Sequence, residues 1–339
     1  MLALHAPDGF MEPEVAVATA VLAATFLTYA LRSSRHELDD RQLPLAGITA
    51  AFVFAAQMVN FPVASGTTGH LIGAALAAIL VGPLTGILVV AVVVVVQAIL
   101  FADGGITALG YNLINMAIVP GLGGYGLFRL FRSVLPANRG GWIGAAGLAA
   151  WGSAVLGSMA LAIEWLFGAS APVPFDTVFG AMVGVHALIG IGEAIITAMV
   201  VGTVLSARPD LVFGIQDVLA DARVASGSDG ATAPMPTRVF VIGGLLATAV
   251  VAAVISQFSF DDPDGLERVA IDKGMESDQA HALENSIFAD YATTGIGNET
   301  LSLAVAGISG AVITLAVGYG LFRSSMLLAP KTERVTTSV

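Results

Sequence analysis

The chain has 339 residues, 56 % of them hydrophobic and 12 % charged, and a mean hydropathy of +0.85. An average soluble domain carries roughly 25 % charged residues, so a soluble enzyme or a nucleic-acid-binding protein is excluded, and the formal net charge of −11 argues against nucleic acid as a partner as well. There is no cysteine, which rules out disulfides, iron–sulfur clusters and thiolate metal sites and leaves imidazole, carboxylate, amide and the chain terminus as metal donors.

Apolar runs long enough to cross a hydrocarbon core roughly 30 Å thick recur along the chain, the mark of an all-α, polytopic integral membrane bundle. In chain order, the runs between charged and turn residues predict helices over 13–32, 44–60, 70–82, 84–100, 108–130, 141–166, 176–205, 238–257 and 300–322. As one helix, residues 70–100 would measure ~46 Å at ~1.5 Å per residue, so Gly82-Pro83 reads as a tight turn between two short spans. The basic residues agree with about nine crossings. Arg32, Arg35 and Arg41, then Arg129, Arg132 and Arg139, then Arg208, Arg223 and Arg238, and finally Arg323, Lys331 and Arg334 share one side, the inside, if the N-terminus lies outside and the C-terminus inside. Only Arg268 and Lys273 fall on the other face, in a loop over 258–299 that holds ten acidic residues.

Residues 1–12 have no basic n-region and no small-residue cleavage site after an apolar core, so they read as part of the mature protein and not as a signal peptide. Residues 207–237 are dominated by Ala, Ser, Gly, Asp and Pro, the composition of a flexible linker. The predicted organisation is a seven-span body over 1–206, a cytoplasmic linker over 207–237, and a two-span C-terminal unit over 238–339 with an acidic extracytoplasmic loop. No period of about 20 to 50 residues repeats.

An ionisable group in lipid costs from ~2.5 kcal/mol upward and tends to face a cavity or a partner, so polar residues near the spans carry the information. Of the five histidines, His36 and His281 sit in charged loops; surface positions are the plain reading, with weak metal capture by His281 as the lesser one. His5 and His70 are both placed outside, one beside the N-terminus and one at the mouth of the third span, after Gly66-Thr67-Thr68-Gly69. A terminal amine, a deprotonated amide and an imidazole can chelate one metal in a plane, and a second imidazole completes four nitrogens, a set suited to Ni²⁺ or Cu²⁺ and next to Co²⁺. On spacing alone, capping or packing roles for two isolated histidines are commoner. Gln57, Asn60, Gln97, Asp103, Asn112 and Asn115 cluster near the outer ends of the second, fourth and fifth spans, where they either orient metal ligands and brace the N-terminal segment or bond helix to helix. His186 and Glu193, seven apart, share a helix face and read as a helix–helix polar bond in preference to a metal relay. Ala16, Ala20 and Ala24 form a close-approach stripe on the first span, open to a partner subunit or to packing within the chain.

Several stretches resemble one family. Leu4-His5-Ala6-Pro7-Asp8-Gly9-Phe10, residues 51–62 around Gln57-Met58-Val59-Asn60, Gly69-His70-Leu71-Ile72-Gly73, residues 97–110 around Asp103-Gly104-Gly105, and residues 186–193 are similar to the substrate-binding membrane component of nickel/cobalt energy-coupling factor (ECF) transporters, the CbiM/NikM family. Pro263-Asp264-Gly265-Leu266-Glu267, with Asp272-Lys273-Gly274 and Asp290-Tyr291, resembles the PDGLE-type accessory domain of the same family, here fused.

The resemblance implies a multi-pass component of a bacterial or archaeal cytoplasmic membrane. It implies capture of Ni²⁺ or Co²⁺ on the outer face and uptake driven by ATP, with an ATPase pair and a transmembrane coupling subunit as separate partners. The chain itself is then no enzyme and holds no permanent cofactor, and it carries no Gly-x-x-x-x-Gly-Lys-Ser/Thr string. The implied ligands are the terminal amine, the backbone nitrogen and imidazole of a histidine in second place, matched by His5, and the imidazole of His70. Met1, Leu2 and Ala3 precede Leu4, so as written His5 is not in second place. The expectation is that Leu4 is the true start and supplies the amine; the alternatives are trimming of the extension or a substitute donor. The rival reading is a self-sufficient ion-coupled carrier, for which buried mid-span acids are expected and only Glu193 and Glu164 qualify. A membrane-embedded hydrolase would need a His-Glu-x-x-His helix or a nucleophile with its base, and neither is found.

Overall fold

The computed structural model describes residues 5–34, 37, 43–64, 66–226, 235–275 and 281–327. Helix α1 (Pro13–Ser33) opens on a proline in its first turn, where the missing N–H has no partner to lose. It is followed by α2 (Leu43–Gln57), fifteen residues buried on almost every side. The chain then leaves the helical pattern for an antiparallel hairpin, β1 (Phe61–Ala64) and β2 (Thr67–Gly69), and an extended stretch over 70–73. Only then does α3 (Ala74–Val81) begin, with every residue buried. Its eight residues rise ~12 Å. The helix expected from 70 therefore starts at 74: Gly73, at φ 78°, takes a left-handed turn that glycine adopts without steric cost, and this crossing is half extended and half helical.

Gly82, at φ 98°, and Pro83 make the expected turn into α4 (Pro83–Val96), which ends in a π-helical turn over Gln97–Phe101. The short α5 (Leu109–Leu113), a second π turn over Ile114–Ile118 and α6 (Val119–Val134) form one crossing. The long α7 (Arg139–Gly168) and α8 (Phe175–Ala207) pack side by side. Within the stretch read as a linker, α9 (Gln216–Ser226) is helical, and residues 227–234 lie outside the described residues. The C-terminal unit consists of α10 (Thr237–Ala253), a short α11 (Gly265–Lys273) inside the acidic loop, and α12 (Glu299–Leu327). Both α10 and α12 pack on α2.

Among the described residues seven helical segments are long and apolar enough to cross a membrane, and α2 is a shorter apolar helix; the protein is a multi-pass membrane protein. At one end of the bundle three arginines tie helices together. There Arg132 pairs with Asp217 of α9 at 2.6 Å, Arg139 binds the Gly202 carbonyl at 3.0 Å and the Ser206 hydroxyl, and Arg208 binds Thr237 at 2.8 Å. Glu37 caps α4 at this end, accepting the Leu84 and Thr85 N–H groups at 3.1 and 2.8 Å, while burial raises its carboxyl pKa. The opposite end holds the N-terminal segment, the hairpin, the Gly104-Gly105 loop and the acidic loop.

Candidate metal centre

The N-terminal segment enters the bundle as an extended plug, with Ala6 and Phe10 fully buried. Its backbone polar groups need partners at this depth, and the body supplies them. The Asn112 side chain clamps Ala6 from both sides, accepting its N–H at 2.9 Å and donating to its carbonyl at 3.1 Å. Gly105 N–H donates to the Ala6 carbonyl at 3.0 Å. Asp8 accepts both the backbone N–H and the hydroxyl of Thr107 at 2.7 Å. The far end of the plug is pinned by Ser170 on the Phe10 carbonyl at 2.6 Å. The facing loop carries two glycines because the plug lies directly on it: a Cβ at 105 would sit 2.2 Å from Asp8 N, and one at 104, where φ is +84°, 3.0 Å from His5 Nδ1.

These contacts bury the His5 imidazole beside that of His70, with ring centroids 5.9 Å apart and planes at 57°. An imidazole nitrogen lies ~2.0 Å from a bound first-row metal, so two rings sharing one ion have centroids no more than ~6.4 Å apart, and the pair is within that limit. His70 Nδ1 donates to the Leu71 carbonyl at 2.7 Å, which leaves the lone pair on Nε2. His5 Nδ1 lies 3.3 Å from the Asp103 carbonyl and 3.7 Å from its carboxylate Oδ1, and His5 Nε2 is buried with no hydrogen-bond partner.

The half-extended crossing places His70. Glu193 of α8 accepts the Ile72 and Gly73 N–H groups at 2.6 and 2.9 Å, and Gln57 donates to the Ile72 carbonyl at 2.9 Å. Glu193 thus caps α3, a carboxylate at the positive end of a helix, in place of the bond to another helix side chain that the sequence suggests. His186 donates to the Met182 carbonyl at 2.8 Å. Together with His70, Asp264 and Gly265 it lines a cavity of about 10 Å³, room for about one water.

The C-terminal unit covers this end. Thr68, two residues before His70, donates its N–H to the Pro263 carbonyl at 2.9 Å and its hydroxyl to the Asp262 carbonyl at 2.8 Å. Asp264 caps α11 with one oxygen, while the other is buried without a partner, and burial pushes its carboxyl up to about 7. His281 Nδ1 accepts the Leu283 N–H, so its Nε2 donates to the Gly104 carbonyl at 3.0 Å. Tyr291 donates to Asp103 Oδ2 at 2.6 Å and accepts from Gln97 at 3.0 Å; burial and then Asp103 raise its pKa far above the ordinary phenol value.

Of the residues singled out from sequence, the structure gathers His5, His70, Gln57, Gln97, Asp103 and Asn112 around one centre. Asn60 instead meets the C-terminal unit through its backbone, at Ser259 and Phe260, and Asn115 bonds Glu164 of α7 at 2.7 Å. Leu4 and His36 lie outside the described residues. Along α1, Ala16 is half-buried and Ala20 and Ala24 are exposed. Asp8, Thr107 and Tyr291 are not among the site residues singled out from sequence, although each lies in a string that carries the resemblance, Leu4 to Phe10, 97–110 and Asp290-Tyr291. Among the described residues no three His, Asp or Glu side chains converge on one point, so an ion held by the two imidazoles takes its other donors from elsewhere.

The fold and centre define a multi-pass membrane protein whose buried histidine pair is assembled by a plug, a broken crossing and a covering C-terminal unit. The chain belongs to the CbiM family, the cobalt uptake substrate-specific transmembrane region, whose model matches residues 5–211, and residues 238–326 match the PDGLE domain. A protein of Archaeoglobus fulgidus, named provisionally as a fused nickel transport protein NikMN, is 35 % identical over 324 residues, covering 94 % of this chain and 98 % of its own length. A provisionally named metal transport protein of Haloquadratum walsbyi is 43 % identical over 62 % of this chain and 94 % of its own. The crystal structure of a truncated transition metal transporter is 32 % identical with a TM-score of 0.53, covering 60 % of this chain and 98 % of that one.

Proposed function

We propose that the protein captures Ni²⁺ or Co²⁺ between His5 and His70 and passes it across the cytoplasmic membrane as the substrate-binding component of an ECF transporter. The observation that carries this reading is the pair of buried imidazoles 5.9 Å apart. The nickel and cobalt named for the relatives support it. The remaining donors are an amine at residue 4 and the His5 amide. That chelate closes through Nδ1 of the same residue, which sets the cation beside the Asp103 carboxylate. ATP is hydrolysed by separate subunits, and the arginine-held end faces the cytoplasm. The coupling subunit docks on α1, whose Val17, Val21 and Leu22 are 60–64 % exposed alongside Ala20 and Ala24. Against a self-sufficient ion-coupled carrier, Glu193 is already committed to α3, which leaves Glu164 as the one mid-span acid the sequence offered.

Calorimetric titration of purified protein with Ni²⁺ tests the site. His5→Ala and His70→Ala should each abolish tight binding while the protein keeps its melting temperature within a few degrees, and wild-type affinity in both variants discards the site. A chain beginning at residue 4 with methionine should bind more tightly than the 339-residue form, and acetylating its amine should remove the gain. Uptake into vesicles that requires both ATP and the partner subunits separates this reading from the carrier.

A further inference from the structure

The C-terminal unit reaches the metal centre through Asp290-Tyr291. Both residues have positive φ, 52° and 58°, and neither is glycine. Successive non-glycine residues in the left-handed region are held only by surrounding contacts and occur where the geometry serves a site. The strained turn points Tyr291 inward. Its ring packs on Phe101 and Phe54, with centroids at 5.0 and 6.3 Å, and the side chain is 2 % exposed. Ring packing alone would be met by phenylalanine, which already stands beside it as Phe288, stacked on Phe101 at 5.4 Å. The hydroxyl does something more specific. It donates to Asp103 Oδ2 at 2.6 Å and is itself held by Gln97 at 3.0 Å, which fixes the carboxylate plane. The other oxygen, Oδ1, is left buried and unpartnered, 3.7 Å from His5 Nδ1.

We infer that Tyr291 is a positioning residue for metal capture: its hydroxyl locks Asp103 so that the free carboxylate oxygen faces the His5 imidazole, which makes the C-terminal unit a determinant of the affinity of a centre built in the body. With the cation on His5 Nδ1, a carboxylate oxygen fixed 3.7 Å from that nitrogen sets its negative charge beside the ion. Released from Tyr291, the same carboxylate rotates and the alignment is lost. The inference rests on the His5–His70 reading and concerns how that site is tuned.

The experiment uses the full chain in detergent. Ni²⁺ affinity is measured by competition with a chelator, and the ligand-field absorption of bound Ni²⁺ is recorded for Tyr291→Phe, Asp103→Asn, the double variant and Ser286→Ala. Ser286 donates to the Leu100 carbonyl from the same loop, and its replacement is the control for removing a hydrogen bond elsewhere in the interface. Loss of an outer partner of a metal ligand typically weakens binding about 10- to 100-fold. Tyr291→Phe should therefore weaken Ni²⁺ binding about tenfold and shift the absorption band, and the double variant should be no weaker than Asp103→Asn alone. Ser286→Ala should match wild type, and 3-fluorotyrosine at position 291, which keeps the hydroxyl, should restore wild-type behaviour whether or not the phenylalanine variant is stable. Wild-type affinity and spectrum in Tyr291→Phe, losses that multiply in the double variant, or an equal loss in Ser286→Ala would each overturn the inference. If His5→Ala and His70→Ala also bind as wild type, the site itself is wrong; if they lose binding while Tyr291→Phe does not, only the positioning role fails.

Discussion

Asp264 lines a small cavity together with His70 and titrates well above the ordinary carboxylate range. Burial holds the Asp264 carboxyl at about 7, so the folded protein takes up this proton before the unfolded chain does. This group therefore stabilises the fold as pH falls from 7 toward the ordinary carboxylate range, and the gain is lost as pH rises through 7. Asp264→Asn retains an oxygen to cap α11 and removes the buried charge. It should melt above wild type at pH 8 and level with it near pH 5. A melting difference that is the same at both pH values would show that Asp264 is not held protonated by burial.

At the scale of elements, the half-extended crossing depends on one distant side chain. Without Glu193, the Ile72 and Gly73 N–H groups that it accepts are buried with nothing to bond, and each unmet buried group costs about 1–3 kcal/mol. Glu193→Ala should destabilise the protein by about 2 kcal/mol or more and weaken Ni²⁺ binding through the displaced His70, while Glu193→Gln, which keeps one acceptor, should fall between. A melting curve for the alanine variant that overlays wild type would refute the capping role. The same dependence explains what the sequence made legible. Length and unbroken apolar character exposed the long helices and the Gly82-Pro83 turn, because those signals are local. The Ala- and Val-rich run after Gly73 reads alike whether residues 70–73 are helical or extended; the difference is set by Glu193 on α8. The hairpin, both π turns and α11 are short and held by tertiary contacts, as with Thr68 on Pro263 and Asp262, so no periodicity announces them. His5, His70, Gln97, Asp103 and Asn112 could be picked out as polar residues near the outer face, whereas Tyr291 stood out only as part of the Asp290-Tyr291 string, because its contacts with Asp103 and Gln97 are made in a turn that only the folded chain reveals.

For the whole molecule, burial of the centre raises a problem of access. His5 and His70 are 1 % and 5 % exposed, so an ion enters only if something moves. His281 on Gly104 and Ser286 on Leu100 are each a single hydrogen bond from the C-terminal unit, and the hairpin is joined to it by the N–H and hydroxyl of Thr68, contacts of the kind found in regions that open at low free-energy cost. The plug, by contrast, is held along its length by Asn112, Asp8–Thr107 and Ser170. The covering loop is therefore the part expected to open. The chain has no cysteine, so one engineered pair can lock it without a competing thiol. Thr68 and Asp264 face each other in a β-bridge, where partners lie ~4.8 Å apart, inside the ~4.4–6.8 Å Cα range of a disulfide. With Thr68→Cys and Asp264→Cys, the oxidised protein should exchange radioactive Ni²⁺ at least about tenfold more slowly than the same protein reduced, as for a gate held shut. The reduced form controls for the lost carboxylate. Equal exchange rates in the two forms would mean that the ion passes without displacement of the C-terminal unit, and the moving part would then have to be the N-terminal plug.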